Sequence, residues 1–256
     1  MSNDGTGPIE ERLMVAVTAA ILAGGLGTRL RSVVRDRPKV LAEIRGQPFL
    51  RYLLDQLAAA GVQDIVICTG YLGEQVRATF GDSLGNMRLV YSQESSPLGT
   101  AGTLRLALPL FKSGSVLVMN GDSFCDVDLC FFWDWHLQHE AHASMVLVEA
   151  ADVGQFGSVE VNHAGKVIGF QEKNVTNRAG WINAGVYLIE SCLIDTIPKV
   201  GAVSLERTMF PAWVGRGLYG YQSEGKFLDI GTPENYAAAE QFFCFRDKGM
   251  RIDDYQ

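Results

Sequence analysis

Along this chain, short apolar runs alternate with stretches of helical period. Residues 15–21, 64–68 and the fully apolar 116–119 each have the length and composition of a buried strand. Between the first two, Phe49, Leu50, Leu53, Leu54 and Leu57 recur at helical spacing, and Gly61 supplies a stop. The same pattern predicts a short helix over 74–80, a strand over 87–91 and a helix over 100–108. Strands and helices alternating in this way make a parallel sheet with helices on both faces. Ligands of such sheets sit beyond the carboxyl ends of the strands. On that edge fall the glycine turn after Ile21, the turn Pro97-Leu98-Gly99 after Tyr91, and Asp122 after Met119.

The second half changes character. Residues 158–161 and 166–170, joined by His163-Ala164-Gly165, read as a β-hairpin. Further strands are predicted over 181–189 and 227–230, and Pro233 opens a closing helix through about Phe243. Asp128 is placed to cap a helix carrying Phe131, Phe132 and Trp135. No repeat, low-complexity tract or long linker divides the chain. Residues 15–247 are expected to form one domain, with tails over 1–14 and 248–256.

Composition narrows the class. The 256 residues are 47% hydrophobic and 20% charged, enough for a large globular core. No apolar stretch approaches the ~18 residues a membrane helix needs. The first fourteen residues are polar and lack a basic start followed by an apolar segment, so they read as a loose tail rather than a secretion signal. Five cysteines, an odd number with no C-x-x-C pair, read as free thiols in a reducing cytoplasm. A net charge of −7 argues against nucleic acid as partner. Yet Arg29, Arg31, Arg35, Arg37 and Lys39 stand against a single Asp36 beside the glycine turn. Positive charge focused there on an acidic molecule draws in a small polyanion.

The glycine turn itself carries chemistry. Residues 22–30 read LAGGLGTRL, and Gly24, Gly25 and Gly27 let bare backbone N–H groups approach phosphate oxygens. Arg29 adds a fork of donors and Lys39 a compact positive charge. The dinucleotide fingerprint fits less well, because Leu30 stands where its last glycine belongs, and the Gly-Lys-Ser/Thr of a P-loop is absent. Asp122 ends one apolar strand and Asp229 another, positions suited to holding Mg²⁺ beside phosphate. Either aspartate could equally serve a turn. Asp126 and Asp128 form a D-x-D string, also known as a metal site in glycosyltransferases. Glu172-Lys173 could meet a sugar phosphate or form a solvated pair, while Asn183-Ala184-Gly185 inside an apolar strand points to a close approach of ligand or backbone. His136, His139 and His142 are expected in ordinary packing and surface roles.

Together these residues resemble the sugar-1-phosphate nucleotidyltransferases, over about residues 19–243. The motifs that carry the likeness are LAGGLGTRL with Pro38-Lys39, QESSPLGTAG at 93–102, NGDSFCDVDL, FGSVEV, FQEK, INAGVYLIE, SLER and FLDIGTPENY, in the family's order. Within the family the chain is most similar to short guanylyltransferases of D-glycero-α-D-manno-heptose 1-phosphate; mannose-1-phosphate guanylyltransferases come next. Val40 departs from the family pattern, where proline commonly follows the lysine.

The resemblance implies a three-layer α/β/α fold with a mostly parallel, Rossmann-like mixed sheet and a small β-rich sugar-binding part. About 15–128 would be the nucleotide half and 129–247 the sugar-phosphate half. Leu22, Ala23, Gly24, Gly25, Gly27, Thr28, Arg29, Gln93, Gly99, Thr100 and Asp122 would bind the nucleotide. Gly157, Glu172, Lys173, Asn183 and Gly185 would seat the sugar phosphate, and Asp122 and Asp229 would carry Mg²⁺. Arg29, Lys39, Asp122, Lys173 and Asp229 would do the catalysis. The implied reaction joins a nucleoside triphosphate, GTP first, to a sugar 1-phosphate and releases pyrophosphate. A glycosyltransferase using a nucleotide-sugar and a non-catalytic nucleotide sensor are the competing readings. A cytoplasmic protein is expected, with no nucleic-acid or membrane partner; a homodimer is left open.

Overall fold

The computed structural model describes residues 14–25, 27, 29–30, 32–155, 158–171 and 178–247. Thr28, Gly157, Glu172 and Lys173 lie outside the described residues, as do the expected tails apart from Met14. The first half runs β1 (Thr18–Ala23), a small pair β2 (Glu43–Ile44) and β3 (Gln47–Pro48), then α1 (Phe49–Ala59) and β4 (Asp64–Thr69). It continues through α2 (Gly73–Phe80), β5 (Ser83–Leu84), β6 (Met87–Gln93), α3 (Gly99–Ala107), β7 (Ser115–Asn120) and β8 (Ser123–Cys125). The second half has α4 (Leu129–Gln138), β9 (Ala143–Ala150), β10 (Ser158–Val161), β11 (Val167–Gln171) and β12 (Gly180–Glu190). It closes with α5 (Ser191–Asp195), α6 (Phe210–Trp213), β13 (Leu218–Ser223), β14 (Phe227–Asp229) and α7 (Pro233–Asp247).

β1 is the centre of the sheet. It pairs in parallel with β4 on one side and β7 on the other, and β4 pairs in parallel with β6. The chain therefore winds outward from β1 through β4 to β6, then returns to the opposite side of β1 as β7. That reversal opens a crevice between the carboxyl ends of β1 and β7, the place where such sheets bind ligands. β12 runs antiparallel to β7 and makes the sheet mixed; its other edge carries β9, and β13 follows β9 in parallel. The expected β-rich part continues the main sheet.

The burial pattern explains the elements. Ala19, Ala20 and Ile21 are wholly buried, because β1 is covered on both faces and can carry no polar alternation. In α1 the buried residues are Phe49, Leu50, Leu53, Leu54 and Leu57 with Gln56, and the αL backbone of Gly61 follows its end. Each such apolar side chain contributes about 1.5–3 kcal/mol. The Asp128 carboxylate accepts from the backbone N–H groups of Cys130 and Phe131, so α4 starts where the sequence places its cap. Phe124 packs edge-on against Phe242 and Phe243, which ties α7 to the β8 strand beside the crevice.

Besides the short β2, β3, β5 and β8, two long strands go beyond the sequence reading. β9 is an apolar run, but β13 holds Gly220 at its middle, which reads as an interruption. A methyl at Gly220 would lie 2.5 Å from Leu147 Cδ1, so the glycine is there to let β13 pack against β9. The strand expected over 227–230, by contrast, lies off the main sheet. It forms a two-stranded ribbon with β8, in which Asp229 faces Ser123.

Candidate active site

The crevice is a cleft of about 420 Å³ at the carboxyl ends of β1 and β7. Leu22, Ala23, Gly24, Gly25, Gly27 and Arg29 line one side, with Lys39 from the turn Lys39–Leu41; Asn120, Gly121 and Asp122 line the other. The two strand ends meet through Gly121, whose N–H donates to Leu22 O at 2.9 Å. A methyl on Gly121 would stand 2.6 Å from that same oxygen, so only glycine allows the approach. Gly27 takes a φ of +57°, a left-handed backbone that turns the loop back toward Lys39.

Asp122 and Asp229 converge. Pairing of β8 with β14 brings Asp229 opposite Ser123, and Ile230 N–H donates to Asp122 O at 3.0 Å. Lys39 Nζ then stands 2.8 Å from Asp122 Oδ2 and 3.9 Å from Asp229 Oδ1. Arg29 reaches the same corner: a methyl at Gly231 would lie 3.3 Å from its terminal nitrogen and 2.7 Å from Asp229 Oδ1. Burial lifts the Asp229 carboxyl above its ordinary range, and the Asp122 charge adds to this. Lys39, the Gly231 N–H and Arg29 pull the other way. Two carboxylates converging at the mouth of a glycine loop, one of them half-buried, fit a divalent cation that phosphate oxygens would share. Among the described residues no group of three or more His, Cys, Asp or Glu side chains forms a fuller metal cage. Asp128 is committed to capping α4, so the D-x-D string does not supply a second metal site.

The loop after β6 closes one end of the cleft. Gln93 is exposed and lies outside the lining, whereas Glu94, Gly99 and Thr100 line it. Glu94 was missed from sequence although it neighbours Gln93 in the same motif. Its Oε2 accepts from Leu98 N–H at 3.0 Å and Thr103 Oγ1 at 2.7 Å, and its Oε1 faces the glycine loop, 3.1 Å from where a methyl on Gly24 would stand. Gly99 has φ +74°, and a methyl there would lie 2.5 Å from Val203 O. The loop is therefore clamped onto residues 203–206, through Ala101 N–H to Val203 O and Val203 N–H to Leu98 O. This brings Glu206, a second carboxylate missed from sequence, into the cleft lining.

Asn183 and Gly185 do not line the cleft; they sit behind Asn120, which does. Asn183 Oδ1 accepts from Gly185 N–H, and its Nδ2 donates to the buried Tyr187 hydroxyl at 2.8 Å. Gly185 has φ +75°, and a methyl there would lie 2.6 Å from Ser123 Oγ and 2.9 Å from Asn120 Nδ2. The close approach read from sequence is therefore one of backbone to neighbouring side chains. The histidines do not cluster. His136 is buried against Ser144 Oγ, His139 meets Trp135 O, and His142 meets Glu190.

A profile of the nucleotidyl transferase family matches residues 18–244. The chain belongs to that family. The chain is 36% identical over 224 residues to mannose-1-phosphate guanylyltransferase of Mycobacterium tuberculosis, covering 86% of this chain and 62% of that one. To D-glycero-α-D-manno-heptose 1-phosphate guanylyltransferase of Aneurinibacillus thermoaerophilus it is 33% identical, covering 87% of this chain and 96% of that one. The transferase thus spans about three-fifths of the first relative and nearly all of the second. Among solved structures, HddC of Yersinia pseudotuberculosis complexed with GMP-PN superposes with a TM-score of 0.78 at 32% identity, covering 89% and 99% of the two chains. No helix among the described residues is long and apolar enough to cross a membrane.

Proposed function

We propose that the protein joins GTP to a sugar 1-phosphate and releases pyrophosphate. The observation that carries this reading is the meeting of Lys39, Asp122 and Asp229 at the mouth of the glycine loop, with Arg29 beside them. The sugar phosphate arrives as an anion, so no base is needed to activate it. Its oxygen attacks the α-phosphorus in line, the bond to the bridging oxygen breaks, and pyrophosphate leaves with that electron pair. The barrier comes from bringing two anions together, so positioning and charge neutralisation dominate. Arg29 and Lys39 hold the phosphates, and the glycine loop offers its N–H groups. Mg²⁺ held by Asp122 and Asp229 would supply further neutralisation of phosphate charge. Thr28, Gly157, Glu172 and Lys173 keep the roles the family resemblance implies.

Guanine presents N1–H and N2–H donors, and the Glu94 carboxylate offers the matching acceptor at the loop end of the cleft. The relatives' names support GTP with a heptose or mannose 1-phosphate. The heptose substrate is favoured, because the heptose relative is matched over 96% of its length. Mannose 1-phosphate is the second reading, supported by the higher identity of 36%. The test is pyrophosphate release with GTP, ATP, UTP, CTP and dTTP against both sugar phosphates. Release only with GTP and one of the two sugars is expected; nucleotide binding without release from any pair refutes the enzyme reading.

A further inference from the structure

Glu206 lines the cleft but has no part in the phosphate machinery. It sits on the π-helical turn Leu205–Met209, whose entry Ser204 caps by accepting from Arg207 N–H. Such turns are frequent at functional sites. Glu206 Oε2 accepts from Thr100 Oγ1 at 2.9 Å and from Ser204 Oγ at 2.8 Å. Thr100 Oγ1 in turn accepts from Leu205 N–H at 2.8 Å. One oxygen of the carboxylate is thus held in place by two hydroxyls. Glu206 Oε1 makes no hydrogen bond among the described residues.

A carboxylate set apart from the Asp122–Asp229 pair is out of place in a cleft that collects phosphate, unless it faces groups that donate. Toward phosphate it is repulsive, and its acceptor-only oxygens gain nothing from a carbonyl. On a nucleotide and a glycosyl phosphate, the donors besides the base edge are sugar hydroxyls, and adjacent pairs of them sit on the rings. Oε1 has lone pairs enough for two adjacent ones. Through its bonds to Thr100 and Ser204, Glu206 is fixed on the cleft wall beside the loop that follows β6. It shares that cleft with Glu94 and Thr100 on one side and Asn120 and Asp122 on the other, so a bound sugar ring comes within its reach.

We propose that Glu206 reads a pair of ring hydroxyls on one of the two substrates, as a specificity-determining residue of the cleft. This rests on the transferase reading above. The hydroxyls come either from the ribose of the nucleotide or from the glycosyl phosphate, and deoxy substrates tell the two apart.

Glu206→Gln keeps an oxygen for Thr100 and Ser204 and replaces the free acceptor with an amide donor. KM, kcat and equilibrium Kd are measured with GTP, 2′-deoxy-GTP and 3′-deoxy-GTP, and with mannose 1-phosphate and its monodeoxy analogues. KM and Kd for one intact substrate should rise about 10- to 100-fold with little change in kcat, the loss expected for a charge-assisted hydrogen bond. For the analogue lacking the hydroxyl that is read, variant and wild type should converge. A GTP-side convergence assigns the ribose, and a convergence on the other side assigns the glycosyl ring. Unchanged constants for both substrates overturn the proposal. So does an equal penalty with every analogue, which would mean that Glu206 acts only by holding the Thr100 loop. A wild type that binds GTP and releases no pyrophosphate refutes the transferase reading instead, and the Kd values still decide Glu206.

Discussion

Lys39→Met is the perturbation whose consequences the geometry specifies best. The lysine side chain is 10% exposed, so methionine keeps the packing of its stem and removes only the charge. Its Nζ stands 2.8 Å from one carboxylate and 3.9 Å from the other, and its loss leaves Asp122 and Asp229 facing each other without it. Removing one partner of a fully buried ion pair costs about 3–5 kcal/mol. Here Asp122 is 46% exposed and Asp229 21%, so solvent absorbs much of that, leaving a cost of about 1–2 kcal/mol. For a chain of this size the corresponding fall in Tm is about 2–8 °C. The effect on chemistry should be far larger. One preorganised cationic contact to the reacting phosphates contributes about 10²–10³ in kcat. Pyrophosphate release at saturating GTP and sugar phosphate measures the second quantity, and a thermal melt the first. A kcat within about threefold of wild type would remove Lys39 from the phosphate site. A Tm loss several times larger than expected would make it a scaffold residue.

Two other predictions follow from single side chains. Glu94→Gln can still accept from Leu98 and Thr103 but presents an amide donor to the base, so GTP binding should weaken about 10- to 100-fold while ATP binding stays put; calorimetric titration of both nucleotides checks this, and equal weakening of the two would refute guanine reading. Burial pushes the His136 imidazole down to about 4 from an ordinary 6.5, so the unfolded chain takes up its proton first as pH falls. The His136 contribution is intact above pH 6.5 and is lost between 6.5 and about 4, up to ~3 kcal/mol in all. Urea melts across that range should show a shallower acid loss for His136→Asn than for wild type, and parallel curves would refute it.

Much of this protein was legible along the chain, because the signals were local. A short apolar run with no polar alternation, running into a glycine turn, reads as a strand covered on both faces, as at Ala19–Ala20–Ile21. A glycine turn emptying from such a strand reads as a ligand-binding edge, and Gly24, Gly25, Gly27, Arg29 and Lys39 all line the cleft. The cap at Asp128 was equally readable, since capping needs only the next three residues. What the tertiary structure alone decided was which distant residues meet. Asp229 reaches Asp122 through a two-stranded ribbon that no local pattern announces. Glu94 displaces Gln93 from the cleft because a strand turns successive side chains to opposite faces, and the register that sets this comes from pairing with β4. Glu206 enters only because Gly99 and Val203 press two loops together. Gly185 reads from sequence as a close approach of ligand or backbone, and the fold sets its backbone against Ser123 and Asn120. Sequence carries the propensity of each segment, but contacts between segments depend on packing and strand register, which exist only once the chain has folded.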